Sequence, residues 1–196
     1  MMRFQVLLLA ALLGLPLASA RAAPEVSVVR AMVDGHAEFD VRAQVRVRAS
    51  ATRAWQVLTD YERLASFVPD LQSSTRLPWP GAAAGNYLVE QHAVARLLFL
   101  RQPITLVLQV HEQPMSLIDM SLQSGNMRKY QARWELLPQD VSQEVLLRYS
   151  GLIAPDFYVP GLFASTLMRR DLAAMLSAVA AEIEKKGTPD DSSHQD

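Results

Sequence analysis

The sequence contains no cysteine. An exported form of this chain therefore has neither disulfides nor a lipid-modified N-terminal cysteine, and its fold rests on its own core. Histidine is scarce as well: His36, His92, His111 and His194 are the full set. A metal site would have to draw its ligands from scattered loops and strands, so neither metal nor cofactor is expected. The sequence has no Gly-x-Ser-x-Gly elbow, no phosphate-binding glycine loop and no His-Glu-x-x-His pair, which removes the usual signatures of serine hydrolysis, nucleotide binding and zinc catalysis. Nor is there a charge excess: 19 basic residues, one of them Arg3, face 20 acidic ones. Nucleic acid is not an expected partner, because its backbone is normally met by a basic stripe. No internal repeat and no long linker divide the chain.

What is present starts with the ends. Arg3, the nearly unbroken apolar run Phe4 to Ala18 and the small-x-small triplet Ala18-Ser19-Ala20 read as a signal peptide over residues 1–20. An uncleaved anchor is the alternative, but Pro16 interrupts a run shorter than the ~20 residues a spanning helix needs. The expectation is a secreted, periplasmic chain starting at Arg21, one domain over 21–186 and a disordered polar tail over 187–196.

Between these ends, residues 26–33 and 36–48 flank Asp34-Gly35, a hairpin pair. In the second segment Phe39, Val41, Ala43, Val45 and Val47 alternate with polar residues, so one face is buried. Ser50 is placed to cap a helix containing Trp55 and Leu58, and Asp60 to cap a second short turn with Leu64 and Phe67. Strands are expected near 71–77, 85–96, 104–112, 116–123, 127–137 and 143–153, separated by Pro/Gly/Asn turns. A closing helix over 160–185 puts Leu162, Ser165, Met168, Leu172, Met175, Leu176, Val179 and Ile183 on one face, with Phe163 and Leu167 opposite. One long helix after so many strands has to lay its stripe across the sheet, an α+β arrangement that tends to enclose a space.

The segment Ala54-Trp55-Gln56-Val57-Leu58-Thr59-Asp60-Tyr61-Glu62, continuing to Phe67-Val68-Pro69, resembles the early helix pair of the START-like (SRPBCC) superfamily, and more narrowly its polyketide cyclase/dehydrase and coenzyme-Q-binding group. Gly125-Asn126-Met127-Arg128-Lys129-Tyr130 with Trp134 is similar to a strand of that group, and Pro155 to Pro160 to the approach to its closing helix. The resemblance implies a helix-grip fold, a curved antiparallel β-sheet wrapped around a long C-terminal α-helix, with an apolar cavity for lipids, sterols, polyketides or quinones. The group has no universal catalytic set, so no catalytic residue is carried over.

Candidate cavity residues are the apolar-phase side chains Leu106, Leu108, Ile118, Met120, Leu122, Tyr130, Trp134, Leu147 and Tyr149, with Leu162, Met168 and Leu172 on the helix. A dry void of ~300 Å³ at ~24 cal/mol per Å³ would cost about 7 kcal/mol, comparable with a whole domain's ~5–15 kcal/mol. Such a cavity is expected to be hydrated, collapsed or occupied. Leu97, Leu98 and Phe99, between Arg96 and Arg101, together with Phe163 and Leu167, are expected to form an entrance in transient contact with a membrane. The function expected is a non-enzymatic carrier or chaperone for a hydrophobic small molecule, a lipid or isoprenoid quinone. The alternatives are a cyclase or dehydratase, which an inward-facing His92, His111 or Tyr149 beside a carboxylate would favour, and an interaction domain of the cell envelope. Asp119 and Glu135, in polar phase, read as surface charges.

Overall fold

The structure, a computed structural model, describes residues 22–97, 100–139, 144–159, 161 and 163–185. The signal peptide and the polar tail expected from the sequence lie outside these residues. Strands β1 (Glu25–Val33) and β2 (His36–Val47) form the first hairpin, with Asp34 and Gly35 both at positive φ as its tight turn requires. Then come α1 (Ala51–Thr59) and a 3-10 turn at Tyr61–Ser66. The hairpins that follow use β3 (Leu71–Leu77), β4 (Asn86–Leu97), β5 (Leu100–Gln113), β6 (Leu117–Gly125), β7 (Met127–Gln139) and β8 (Glu144–Pro155), and α2 (Ala164–Glu184) closes the fold.

The strands form one antiparallel sheet in the order β1-β2-β8-β7-β6-β5-β4-β3. The first hairpin thus docks on the last strand, through β2 and β8, and the architecture is the α+β helix-grip fold expected. Phe39, Val41, Ala43, Val45 and Val47 of β2 are buried and face Leu172, Leu176, Val179 and Ile183 of α2, also buried. At ~1.5–3 kcal/mol for each large apolar side chain fully buried, this stripe is enough to hold the helix. α2 lies against β1 and β2 and meets α1 near its end.

Two local expectations change. The closing helix starts at Ala164, with Phe163 as a cap residue that makes no side-chain cap bond. The chain first has to pass from the end of β8 onto the inner face, and it does so through the residues after Pro155. Ser50 caps α1 as expected, its Oγ accepting from the Arg53 amide at 3.2 Å, but Asp60 makes no side-chain cap bond. Its carboxylate instead faces Arg63 at 3.7 Å.

Candidate functional site

Alternation fixes which side chains face α2. Val45 pairs with Leu147, Tyr149 with Trp134, Trp134 with Ile118, Met120 with Val110, and Leu122 with Leu108, giving one continuous inner face from β2 to β5. Leu106, Leu108, Ile118, Trp134, Leu147, Tyr149 and Leu172 are buried in the core. Met120, Leu122, Tyr130 and Met168 are only partly buried while packing against it, as are Met127 and Met175. An inner face that keeps methionine and tyrosine surface accessible is adaptable, since the thioether adjusts its shape at little cost. Leu162 lies outside the described residues.

Within this face the phenols of Tyr130 and Tyr149 are neighbours that influence each other's titration. Burial pushes both phenols above their ordinary range, so both stay protonated at any physiological pH. Part of Tyr130 is accessible, yet its hydroxyl sits deep. Trp134 stands edge-on to Tyr149, ring centroids 4.9 Å apart and planes at 60°. The result is a small polar point on an apolar wall.

A second polar cluster closes the inner face beside the 3-10 turn, and sequence reasoning missed it. The fully buried Tyr61 donates its hydroxyl to Glu112 Oε1 at 2.7 Å. Arg76 lies over the rings of Tyr61 and Tyr87 at 4.9 and 4.4 Å and donates to the Thr59 carbonyl oxygen at 2.8 Å. Burial first, and then the bond to Glu112, push the Tyr61 phenol far up. Every member has a partner, so the cluster ties the turn to β3, β4 and β5. No residue pattern announces it, because its members come from four separate segments.

The two strand histidines face away from the interior. His92 pairs with Thr105, its Nδ1 3.3 Å from the Thr105 hydroxyl and its Nε2 3.6 Å from Glu90. His111 Nδ1 lies 3.0 Å from Asn86 Oδ1. Asp119 and Glu135 lie on the same outer face, each paired in register with an arginine, Arg133 and Arg148. That face also bears an open groove of about 810 Å³, reaching from Asp40 of β2 to Trp79 beyond β3. Among the described residues no group of three or more His, Cys, Asp or Glu is placed to hold a metal ion. No described helix is long and apolar enough to cross a membrane.

At one end of the sheet two hairpins overhang. The β1–β2 pair continues past the Phe39–Ile153 register, and the β4–β5 pair past Leu106–Gly125. The segment leading from β8 to α2 carries Tyr158, 83% exposed, and Phe163, 52% exposed. A Cβ on Gly161 would touch the Arg30 guanidinium, which itself reaches the Met32 sulfur at 3.1 Å. Of the expected entrance residues, Phe163 is exposed and Leu167 partly buried. Leu98, Phe99 and the side chain of Leu97 lie outside the described residues.

The family model "polyketide cyclase / dehydrase and lipid transport" matches residues 47–180. The chain belongs to this family. No curated protein matches it. Among solved structures, this family member is similar to the Zhui aromatase/cyclase of a Streptomyces species, with TM-score 0.62 and 17% identity over 78% of this chain and 97% of that one. It is also similar to a STAR-related lipid transfer protein from Xanthomonas axonopodis, with TM-score 0.57 and 14% identity over 82% and 99%. Human StAR-related lipid transfer protein 5 gives TM-score 0.62 and 9% identity over 83% of each chain. At these identities the likeness concerns the fold alone.

Proposed function

We propose that this protein is a periplasmic carrier or chaperone that holds a lipid or an isoprenoid quinone against the inner face of its sheet, without chemical conversion. The observation that carries this reading is the Tyr130–Tyr149 pair set among half-accessible apolar side chains. A phenol hydroxyl on an apolar wall has one proton to donate to an acceptor on a ligand. A ligand that combines a long apolar body with a carbonyl oxygen uses both features of such a wall. An enzymatic reading needs an inward proton carrier that titrates near neutrality. His92 and His111 face outward, and Tyr149 meets another phenol rather than a carboxylate.

The ligand passes, in this reading, between the two overhanging hairpins, where Tyr158, Phe163 and Met32 touch a membrane while Arg30 meets lipid phosphate. Native mass spectrometry of the exported protein from its own compartment, followed by organic extraction, tests the proposal. A stoichiometric lipid or quinone is the expected result. A protein that arrives empty and takes up neither from vesicles refutes it. Replacing Tyr158 and Phe163 by serine is expected to slow exchange with anionic vesicles about a hundredfold or more, given ~1.5–3 kcal/mol for burying each ring, without lowering thermal stability.

A further inference from the structure

The sheet is open, and its two edges are finished differently. β3, at one edge, is short and largely polar, and its register shifts between Leu71 and Ser73. It lies against the 3-10 turn, where Glu62 Oε1 accepts from the Arg76 amide at 3.2 Å. Irregularity, polar side chains and a covering segment are the usual means by which a sheet edge is blunted. β1, at the other edge, runs for nine residues without proline or register shift. Its Val29, Met32 and Val33 are 61%, 56% and 41% exposed. Among the described residues no segment other than β2 pairs its backbone with β1.

The two-residue turn Asp34-Gly35 makes Val33 and His36 the closing hydrogen-bonded pair of the first hairpin. Alternate residues from Val33 back to Glu25 therefore bond to β2, and the N–H and C=O groups of Val26, Val28, Arg30 and Met32 point away from the sheet. Another extended strand matches such a row of donors and acceptors, whereas hydrocarbon leaves it unsatisfied. The strand is also complementary to itself. Two copies laid antiparallel about Val29 overlap over the whole of Glu25–Val33. Their free groups then pair Val26 with Met32 and Val28 with Arg30. Val29 meets its own counterpart at a position without hydrogen bonds, where facing side chains come closest. Glu25 stands opposite Val33, so no like charges face each other. Centring the pair on Arg30 would oppose two guanidinium groups. Centring it on Val28 would set Met32 against Pro24, which has no N–H to give.

We propose that β1 is an interaction surface for a second copy of this chain, the two β1 strands pairing about Val29 into one continuous sheet. The pairing needs no ligand, so it stands or falls apart from the carrier reading. Sedimentation velocity of the exported full chain, from about 1 µM to about 500 µM, is expected to show a reversible monomer–dimer equilibrium, because a single strand pair buries less than a standard interface. Hydrogen exchange at the two ends of that range gives the register. The amides of Val26, Val28, Arg30 and Met32 should gain protection at high concentration, while the alternate amides bonded to β2 are protected at both. Val29→Lys, at an exposed position, puts two ammonium groups face to face and should raise the dissociation constant about tenfold or more with no loss of thermal stability. A chain that stays monomeric at every concentration overturns the proposal. So does a Val29→Lys dimer as tight as the original, or concentration-dependent protection that falls outside β1. Should Val29→Lys fail to fold, the exchange pattern of the unaltered chain decides the matter.

Discussion

At Gly125 the backbone adopts φ +139°, and a Cβ there would overlap the Thr105 carbonyl oxygen, which belongs to rigid strand backbone. Gly35 also has positive φ, +78°, but a Cβ would meet nothing within 4 Å. Gly125→Ala is therefore expected to cost about 3 kcal/mol or more, combining strain with a backbone shift. Gly35→Ala should cost only about 1 kcal/mol. Urea unfolding of the two variants checks this, and equal losses would dismiss the steric account. The sequence Ser124-Gly125-Asn126 is legible as a turn. What it does not disclose is the bond pattern that makes the turn specific. The Asn126 amide accepts from the Thr105 amide at 2.9 Å and donates to the Pro103 carbonyl at 2.8 Å, and these partners lie in a strand about twenty residues earlier. Tyr149 is a similar case: its phase in β8 is readable, its neighbour Tyr130 across the sheet is not. Tyr149→Phe should move the urea midpoint little at neutral pH and should weaken retention of the extracted ligand.

Among elements, α2 is held unevenly along its length. Near its C-terminus the Arg53 guanidinium donates to the carbonyl oxygens of Ile183 and Glu182 at 3.4 and 3.1 Å, satisfying acceptors that a helix end leaves free. Arg63 donates to Glu182 Oε1 at 2.9 Å, and Lys185 also reaches that carboxylate. At the N-terminus Phe163 supplies no cap bond and is exposed. Amides in the first turns of α2 are therefore expected to exchange with deuterium well before those around 176–183. Uniform protection along the helix would contradict this, and with it the view that the junction before α2 opens for a ligand. The apolar stripe through Leu172, Leu176, Val179 and Ile183 was legible from periodicity alone. Glu182 was not, because a carboxylate next to the stripe reads as solvent-facing. It is 5% exposed only because Arg63 and Lys185 fold over it. Glu182→Gln should cost about 1 kcal/mol by the same unfolding assay.

On the scale of the molecule, alternation alone indicated two faces to the sheet, and register joined each face across the strands. Phe39 to Val47 could be assigned inward from one strand. The partnership of Arg133 with both Ser150 and Asp119 follows only once β7 is known to lie between β8 and β6, which local sequence does not encode. The ionisable groups gathered by that folding also shape stability as pH changes. Glu182 sits below the ordinary carboxylate range, chiefly through its hydrogen bond to Lys185, with burial opposing and Arg63 assisting. In mild acid the unfolded chain therefore binds more protons than the folded one at this position, so its contribution is lost as pH falls through the folded pKa. Tyr61, Tyr130 and Tyr149 are displaced the other way, above the ordinary phenol value, with burial as the leading cause. Above about pH 10 the unfolded chain ionises these phenols while the folded one keeps them protonated, so stability falls as pH rises from there. Urea midpoints should accordingly be flat from about pH 6 to 9 and decline on both sides. Glu182→Gln should flatten the acid limb only, and a Tyr130→Phe, Tyr149→Phe double variant should shallow the alkaline limb only. An alkaline limb that the double variant leaves unchanged would mean that the phenol pair is not sealed in the interior, and the polar point assigned to the ligand would have to be sought elsewhere on the inner face.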